Sequence, residues 1–168
     1  SKIGSNTSVQ FPAGIGAKGN EGVANNVMQT KGSIGYVEYA YAKQNKLSHT
    51  KLINKDGKTV APVKEAFQAA AANADWASAP GMGVILTDEP GAESWPITNP
   101  TFILIHKKPK DIAAAKDALK FFDWAYAKGS AEAEALDYVP LPAGVVAQIK
   151  KSWAEIVGED NKPVFATN

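Results

Sequence analysis

The tightest constraint on this chain is how few of its residues are written in strand patterns, while helical periodicity recurs from one end to the other. Thr101 to Ile105, Thr-Phe-Ile-Leu-Ile, is an unbroken apolar run of strand length without glycine, the pattern of a strand covered on both faces. Ser33 to Val37 is a second short apolar run and reads as a buried strand. Lys51-Leu52-Ile53 and Thr59-Val60 flank Asp56-Gly57, a strong local signal for a hairpin. Little else has strand character.

Helices are written more plainly. Asn20 is placed to cap a helix carrying Val23, Ala24, Val27 and Met28 at helical spacing, stopped at Lys31-Gly32. A short helix is predicted over Glu38 to Gln44, and an alanine-rich amphipathic one over Val63 to Asn73. Asp111 can cap a helix in which Ile112, Ala115, Leu119, Phe122 and Tyr126 form one stripe up to Lys128-Gly129. Ala131 to Leu136 suits a shorter helix, and Pro142 opens a last one lined by Val145, Val146, Ile149, Trp153 and Ile156, with Gly158 placed to end it. Helices alternating with short strands give an α/β fold class. The strands are too few for one full sheet, and the Pro/Gly-rich stretch from about Ala74 to Pro96 splits them into two unequal groups. Two incomplete lobes are therefore expected rather than one domain. Within that stretch, Ser78 to Ala92 shows no assignable pattern.

With 168 residues and 45% of them hydrophobic, the chain can bury one ordinary core or two small ones. Eighteen basic and seventeen acidic residues are interleaved for a net charge of +1, so no nucleic-acid footprint is present. All the basic residues are lysine. Bidentate guanidinium recognition of an oxyanion is thus closed to this chain, leaving lysine as a point charge. The lack of cysteine removes disulfides, thiolate chemistry and cysteine-type zinc sites. The uncharged stretch Trp76 to Thr87 is too rich in Pro and Gly for a membrane helix. Ser1 to Gln10 carries no leader pattern, and any export address is expected to have been removed.

Gly14-Ile15-Gly16-Ala17-Lys18-Gly19 satisfies G-x-G-x-x-G, a turn that lets backbone approach a pyrophosphate at a helix start. A dinucleotide site also needs an apolar strand just before the turn, and Pro12 argues against one, so a plain Gly-rich loop is the competing reading. Asn20 after Gly19 excludes a Walker A loop. His49 and His106 have no second ligand at metal spacing and read as polar surface, and no G-x-S-x-G elbow exists for a hydrolase. Asp88, Glu89 and Glu93 read as solvated loop charges rather than paired catalytic acids. Tyr41 and Trp76 suit packing. Tyr36 and Tyr39 suit either packing or a pocket, because they fall at an expected strand-to-helix turn, where open α/β sheets place ligands.

Four segments taken together go further: Gly16-Ala17-Lys18-Gly19-Asn20-Glu21-Gly22-Val23-Ala24, Gly32 to Ala42 (Gly-Ser-Ile-Gly-Tyr-Val-Glu-Tyr-Ala-Tyr-Ala), Trp95-Pro96-Ile97-Thr98, and Leu119 to Tyr126 (Leu-Lys-Phe-Phe-Asp-Trp-Ala-Tyr). In order and approximate spacing they resemble the high-affinity phosphate-binding proteins of bacterial ABC uptake systems, from about Ser5 to Phe165 and over the C-terminal half of the family's sequence. Ser78 to Ala92 departs from the resemblance.

The resemblance implies a periplasmic receptor of the two-lobed, type II binding-protein fold, closing by a hinge over inorganic phosphate and docking on membrane ABC permease subunits. It implies no enzyme activity, no cofactor and no metal. Residues 1–94 would supply the later part of lobe II, 95–98 (Trp95, Pro96, Ile97) the interlobe crossing, and 99–168 the C-terminal part of lobe I. The family's phosphate contacts, which include an arginine and a Ser-Gly-Thr at a helix start, match no position here, so the missing N-terminal half is expected to hold them. Gly19, Gly35, Tyr36 and Tyr39 are expected as cleft framework, with Tyr39 the pocket-adjacent side chain. The chain alone is expected to fold poorly, its sheet edges and apolar faces lacking their cover. Two other readings stay open: a dinucleotide-binding enzyme fragment using Gly14, Gly16 and Gly19, and a secreted phosphate-scavenging protein of the same fold.

Overall fold

The computed structural model describes residues 3, 4, 6 and 8–166. In chain order the elements are α1 (Gly19–Gln29), α2 (Tyr39–Gln44), β1 (Leu52–Ile53), β2 (Thr59–Val60), α3 (Lys64–Asn73), a 3-10 turn (Pro80–Met82), α4 (Ile112–Lys128), α5 (Ser130–Ala135), α6 (Ala143–Ser152) and a second 3-10 turn (Trp153–Glu155). Contacts divide the chain into two compact units, the first ending at His49 and the second beginning at Thr50. The second unit contains residues on both sides of the 95–98 segment, Ala71, Trp76 and Leu86 sharing a cluster with Val145.

Each expected helix forms, with shifted ends. Asn20 does not cap α1; Lys18 is the N-cap residue, without a side-chain bond, and Asn20 lies inside the helix. Asp111 does cap α4, its carboxylate accepting from Ala114 N at 2.9 Å. The last helix stops at Ser152, whose hydroxyl donates to Ile149 O at 2.7 Å, and the chain tightens into the 3-10 turn before Ile156 turns extended. Trp153 and Ile156 still reach the core.

The strands are where expectation and structure part. The hairpin forms in antiparallel register, Leu52 opposite Val60 and Ile53 opposite Thr59, around a turn in which Gly57 takes φ 73°. Ser33 to Val37 is not a buried strand: it has no ladder partner, Ile34 is 92% exposed and Tyr36 81%. Thr101 to Ile105 is likewise unladdered, with Leu104 93% exposed and only Ile105 packed on a core cluster. A buried strand requires neighbours for its backbone donors and acceptors. Among the described residues no second strand lies beside either run, so both remain extended and open.

Three apolar clusters hold the second unit. Val60, Ala66 and Trp95 join β2 and α3 to the 95–98 segment, with Phe67 edge-on to Trp95 at 6.3 Å. Ala71, Trp76, Leu86 and Val145 join α3 to α6, and Trp76 Nε1 donates to Ala71 O at 2.7 Å. Ala115, Leu119, Trp153, Ile156 and Val164 join α4 to the C-terminal turn. Ile149 of α6 packs on the last two clusters and so connects them.

A buried polar set ties the stretch without sequence pattern into this unit. Asn54, 5% exposed, donates Nδ2 to the carbonyls of Gly91, Ala92 and Ser94 at 3.0–3.2 Å, and its Oδ1 accepts from Asp56 N and Lys58 N. Fully buried Ser94 donates to Pro90 O at 2.7 Å and accepts from Asn73 Nδ2 at 3.1 Å. At Gly91, φ 111°, a Cβ would overlap Asn73 Nδ2. Thr87 bridges Ile97, and Asp88 N donates to Pro96 O. Replacing Asn54 by alanine should cost about 2–4 kcal/mol, because three carbonyls and two amides lose one partner. Asn54→Asp should cost no less despite equal shape, since an oxygen then faces the three carbonyls. Equilibrium denaturation of parent and variants checks both; an Asn54→Asp midpoint matching the parent is the contrary result.

Candidate functional site

The motif residues of the first unit converge at the start of α1. The glycine loop reaches Lys18, whose extended backbone (φ −88°, ψ 120°) turns directly into the helix at Gly19. Gly14 and Gly19 have φ of 121° and 67°, conformations that favour glycine, and a Cβ at either, or at Gly16, would meet open space. The loop is thus glycine-rich for its backbone path rather than for close packing. No strand precedes it among the described residues, and Glu38 stands at the N-cap of α2 rather than at a strand end. The strand that the dinucleotide reading needs before the turn is absent there, as is a strand-end acid to hold a ribose.

Asn20 has a different task from the cap expected of it. Its Oδ1 accepts from Glu38 N at 2.9 Å, linking the first turn of α1 to the first turn of α2. Gly35 lies against the same helix: a Cβ there would stand 2.8 Å from Val27 Cγ2 and 2.9 Å from Val23 Cγ1. Val23 and Val27 are one helical turn apart and stiff at χ1, so only glycine lets the 33–37 segment cross them at this distance. Gly19, Gly35 and the start of α2 therefore belong to one local arrangement.

Tyr36 and Tyr39 differ within it. Tyr36 projects into solvent, while Tyr39 is half-buried as the first residue of α2, its ring edge-on to His49 at 5.9 Å. Trp95, Pro96 and Ile97 belong to the second unit. Trp95 is buried and its backbone N–H donates to Ala66 O; Pro96 O accepts from the backbone N–H of Asp88; Ile97 is 64% exposed. Thr98 Oγ1 donates to Trp95 O at 3.0 Å, closing the turn after the segment.

Hydrogen bonds from the Ser78 hydroxyl and amide hold the Asp75 carboxyl below its usual value, and burial raises Tyr126 above its own. His106 lines an open hollow of about 610 Å³ with Leu104, Lys108, Lys110 and Asp111. No helix among the described residues is long and apolar enough to cross a membrane.

Sequence reasoning missed Asn20's bond to Glu38 and the Asn54 set. The readable signals were a β-branched pair at four-residue spacing beside a lone Gly35, and an asparagine opening the Asp56-Gly57 turn.

The chain belongs to the PBP superfamily, whose domain model matches residues 6–128. It is 52% identical over 164 residues to the phosphate-binding protein PstS of Pasteurella multocida, covering 97% of this chain and 48% of that protein. Against the phosphate-binding proteins PstS of Haemophilus influenzae and Methanocaldococcus jannaschii the identities are 53% over 152 residues and 33% over 164. These cover 90% and 86% of this chain, and 46% and 41% of those proteins. The chain spans about half the length of the curated relatives it matches.

Gly35→Ala should lower stability by about 1–3 kcal/mol through overpacking on Val23 and Val27. Adding Val27→Ala should recover part of the loss. A double-mutant cycle of melting temperatures measures the coupling, and strictly additive losses would contradict the contact.

Proposed function

We propose that this chain is part of a periplasmic solute-binding receptor that captures inorganic phosphate and delivers it to a membrane ABC importer. The observation that carries the reading is the 52% identity to the phosphate-binding protein PstS of Pasteurella multocida across nearly all of this chain. Superfamily membership supports it, as do relatives named for binding rather than for catalysis. In this reading the protein is a receptor and not an enzyme.

The receptor has two lobes that close over the anion, and this chain contributes to each. Residues 1–94 belong to lobe II, 99–168 to lobe I, and 95–98 cross between them. The bond from Asp88 N to Pro96 O and the bridge between Thr87 and Ile97 support the crossing, for they fix the path of that segment. The openness of Leu104 and Ile34 supports a partnership with further strands: two apolar runs of strand length await ladder neighbours that the rest of the receptor supplies.

The ligands themselves lie mostly outside this chain. A dehydrated phosphate needs several donors, and an acceptor for its remaining proton distinguishes it from fully ionised sulfate. With lysine as its sole cationic side chain at neutral pH, this chain offers point charges and backbone amides but no guanidinium fork. Gly19, Gly35, Tyr36 and Tyr39 frame the cleft, with Tyr39, held by α2 and His49, as the pocket-adjacent side chain.

Calorimetric titration of the full-length, ligand-free receptor tests the assignment. Phosphate should bind with one-to-one stoichiometry while sulfate gives little heat. A folded receptor that shows no heat with phosphate would overturn it.

A further inference from the structure

We infer that the contact between α3 and the 134–149 region, α6 included, is the fixed pivot of lobe closure, intact in both the open and the closed receptor. The inference rests on the proposed function, which gives residues 1–94 and 99–168 to different lobes. Three kinds of contact join these two stretches at one place. The Lys64 ammonium lies 3.2 Å from both Glu134 carboxylate oxygens, Gln68 Nε2 donates to Pro140 O at 2.9 Å, and Ala71, Trp76 and Leu86 share a buried cluster with Val145. At 3.6 residues per turn, Lys64, Gln68 and Ala71 fall within about 60° of one another, so one stripe of α3 faces 134–145. Ala66 lies on the opposite side of the helix, packed with Val60 and Trp95, and its carbonyl accepts from the backbone N–H of Trp95 at 3.0 Å. A helix on the surface of a lobe buries one stripe. Here α3 buries two, one against its own lobe and the crossing segment, the other against the opposite lobe.

The make-up of the contact decides between a pivot and a latch that parts on closure. The Lys64–Glu134 pair is partly exposed and separates at little cost. The apolar cluster does not. Leu86 and Val145 are 1% and 2% exposed, and parting the helices would hand them and the buried Trp76 to water, with the Gln68 bond to Pro140 lost as well. Ile149 packs on this cluster and on that of α4, so α6 cannot leave α3 without disturbing the core of its own lobe. Hinge closure is absorbed by a few loop or element-terminal residues, while packed cores keep one arrangement. Rotation about a retained contact meets both requirements.

Distances between pairs of spin labels in the full-length receptor, in a background without other cysteines, test this. Labels go at Lys31→Cys and Glu65→Cys in one lobe and at Lys116→Cys and Glu132→Cys in the other, exposed positions that leave Lys64, Gln68 and Glu134 in place. On adding inorganic phosphate, the 31–116 distance should change by more than about 2 Å, while the 65–132 distance beside the pivot stays within about 1 Å. The 31–65 and 116–132 distances, each inside one lobe, should hold equally. A 65–132 distance that moves together with 31–116 would overturn the pivot and make the contact a latch. Movement of 31–65 or 116–132 would overturn it too, since the contact would then lie within a single lobe, and so would four constant distances with phosphate bound. The two readings fail separately. Phosphate heat accompanied by any of those three results removes the pivot alone. Without phosphate heat, a broad spread of 31–116 distances beside a narrow 65–132 distribution keeps the pivot and removes the ligand assignment alone, whereas a narrow 31–116 distribution removes both.

Discussion

The second unit depends on one buried amide. Asn54 faces three carbonyls of the 91–94 loop with its nitrogen and two amides of its own turn with its oxygen, so both ends of the side chain are used at once. The hairpin alone is two residues per strand, too short to persist in water without packing. The loop it grips has almost no regular structure of its own. Each is fixed by the other, and Ser94 passes the constraint to the end of α3 through Asn73. Trp95, next in sequence, then drops into the cluster formed by β2 and α3. A polar set of this kind leaves little freedom, because every buried group that lost its partner would remain unsatisfied.

Helices were legible from sequence because their signals are local. The stripe from Ile112 to Tyr126 and the Asp111 cap require only the periodicity of one segment, and the structure places both accordingly. Asn20 shows the limit of that approach: the residue type suits a cap, yet its oxygen serves an amide eighteen residues away. The two strongest apolar runs misled in the other direction. Their composition states what they would bury, but burial needs a neighbour that composition cannot supply, and here neither 33–37 nor 101–105 has one. The 78–92 stretch was unreadable since long-range links, from Asn54 to Gly91 and Ala92 and between Thr87 and Ile97, rather than its own pattern, shape it.

The candidate site was legible as motifs and not as geometry. The glycines at 19 and 35 stand out in the sequence for the same reason, absence of a side chain, but the structure gives them different physical causes. Gly19 is required by a backbone turn with open space around it, and Gly35 by two valines already in the way. Identical letters thus encode a conformational need in one place and a steric one in the other, and they tolerate different replacements. A residue adapted to positive φ, such as asparagine, suits the first position and fails at the second.

The hairpin turn has a further consequence, for chemical durability. Asp-Gly is a dipeptide prone to cyclise, because an unhindered glycine lets its backbone nitrogen attack the preceding side-chain carboxyl and form a succinimide. Here Gly57 is fixed at φ 73° and its N–H is donated to the Asn54 carbonyl at 2.9 Å. The arrangement that forms the turn also holds the attacking nitrogen in place, so an age-sensitive peptide bond is guarded by its own fold.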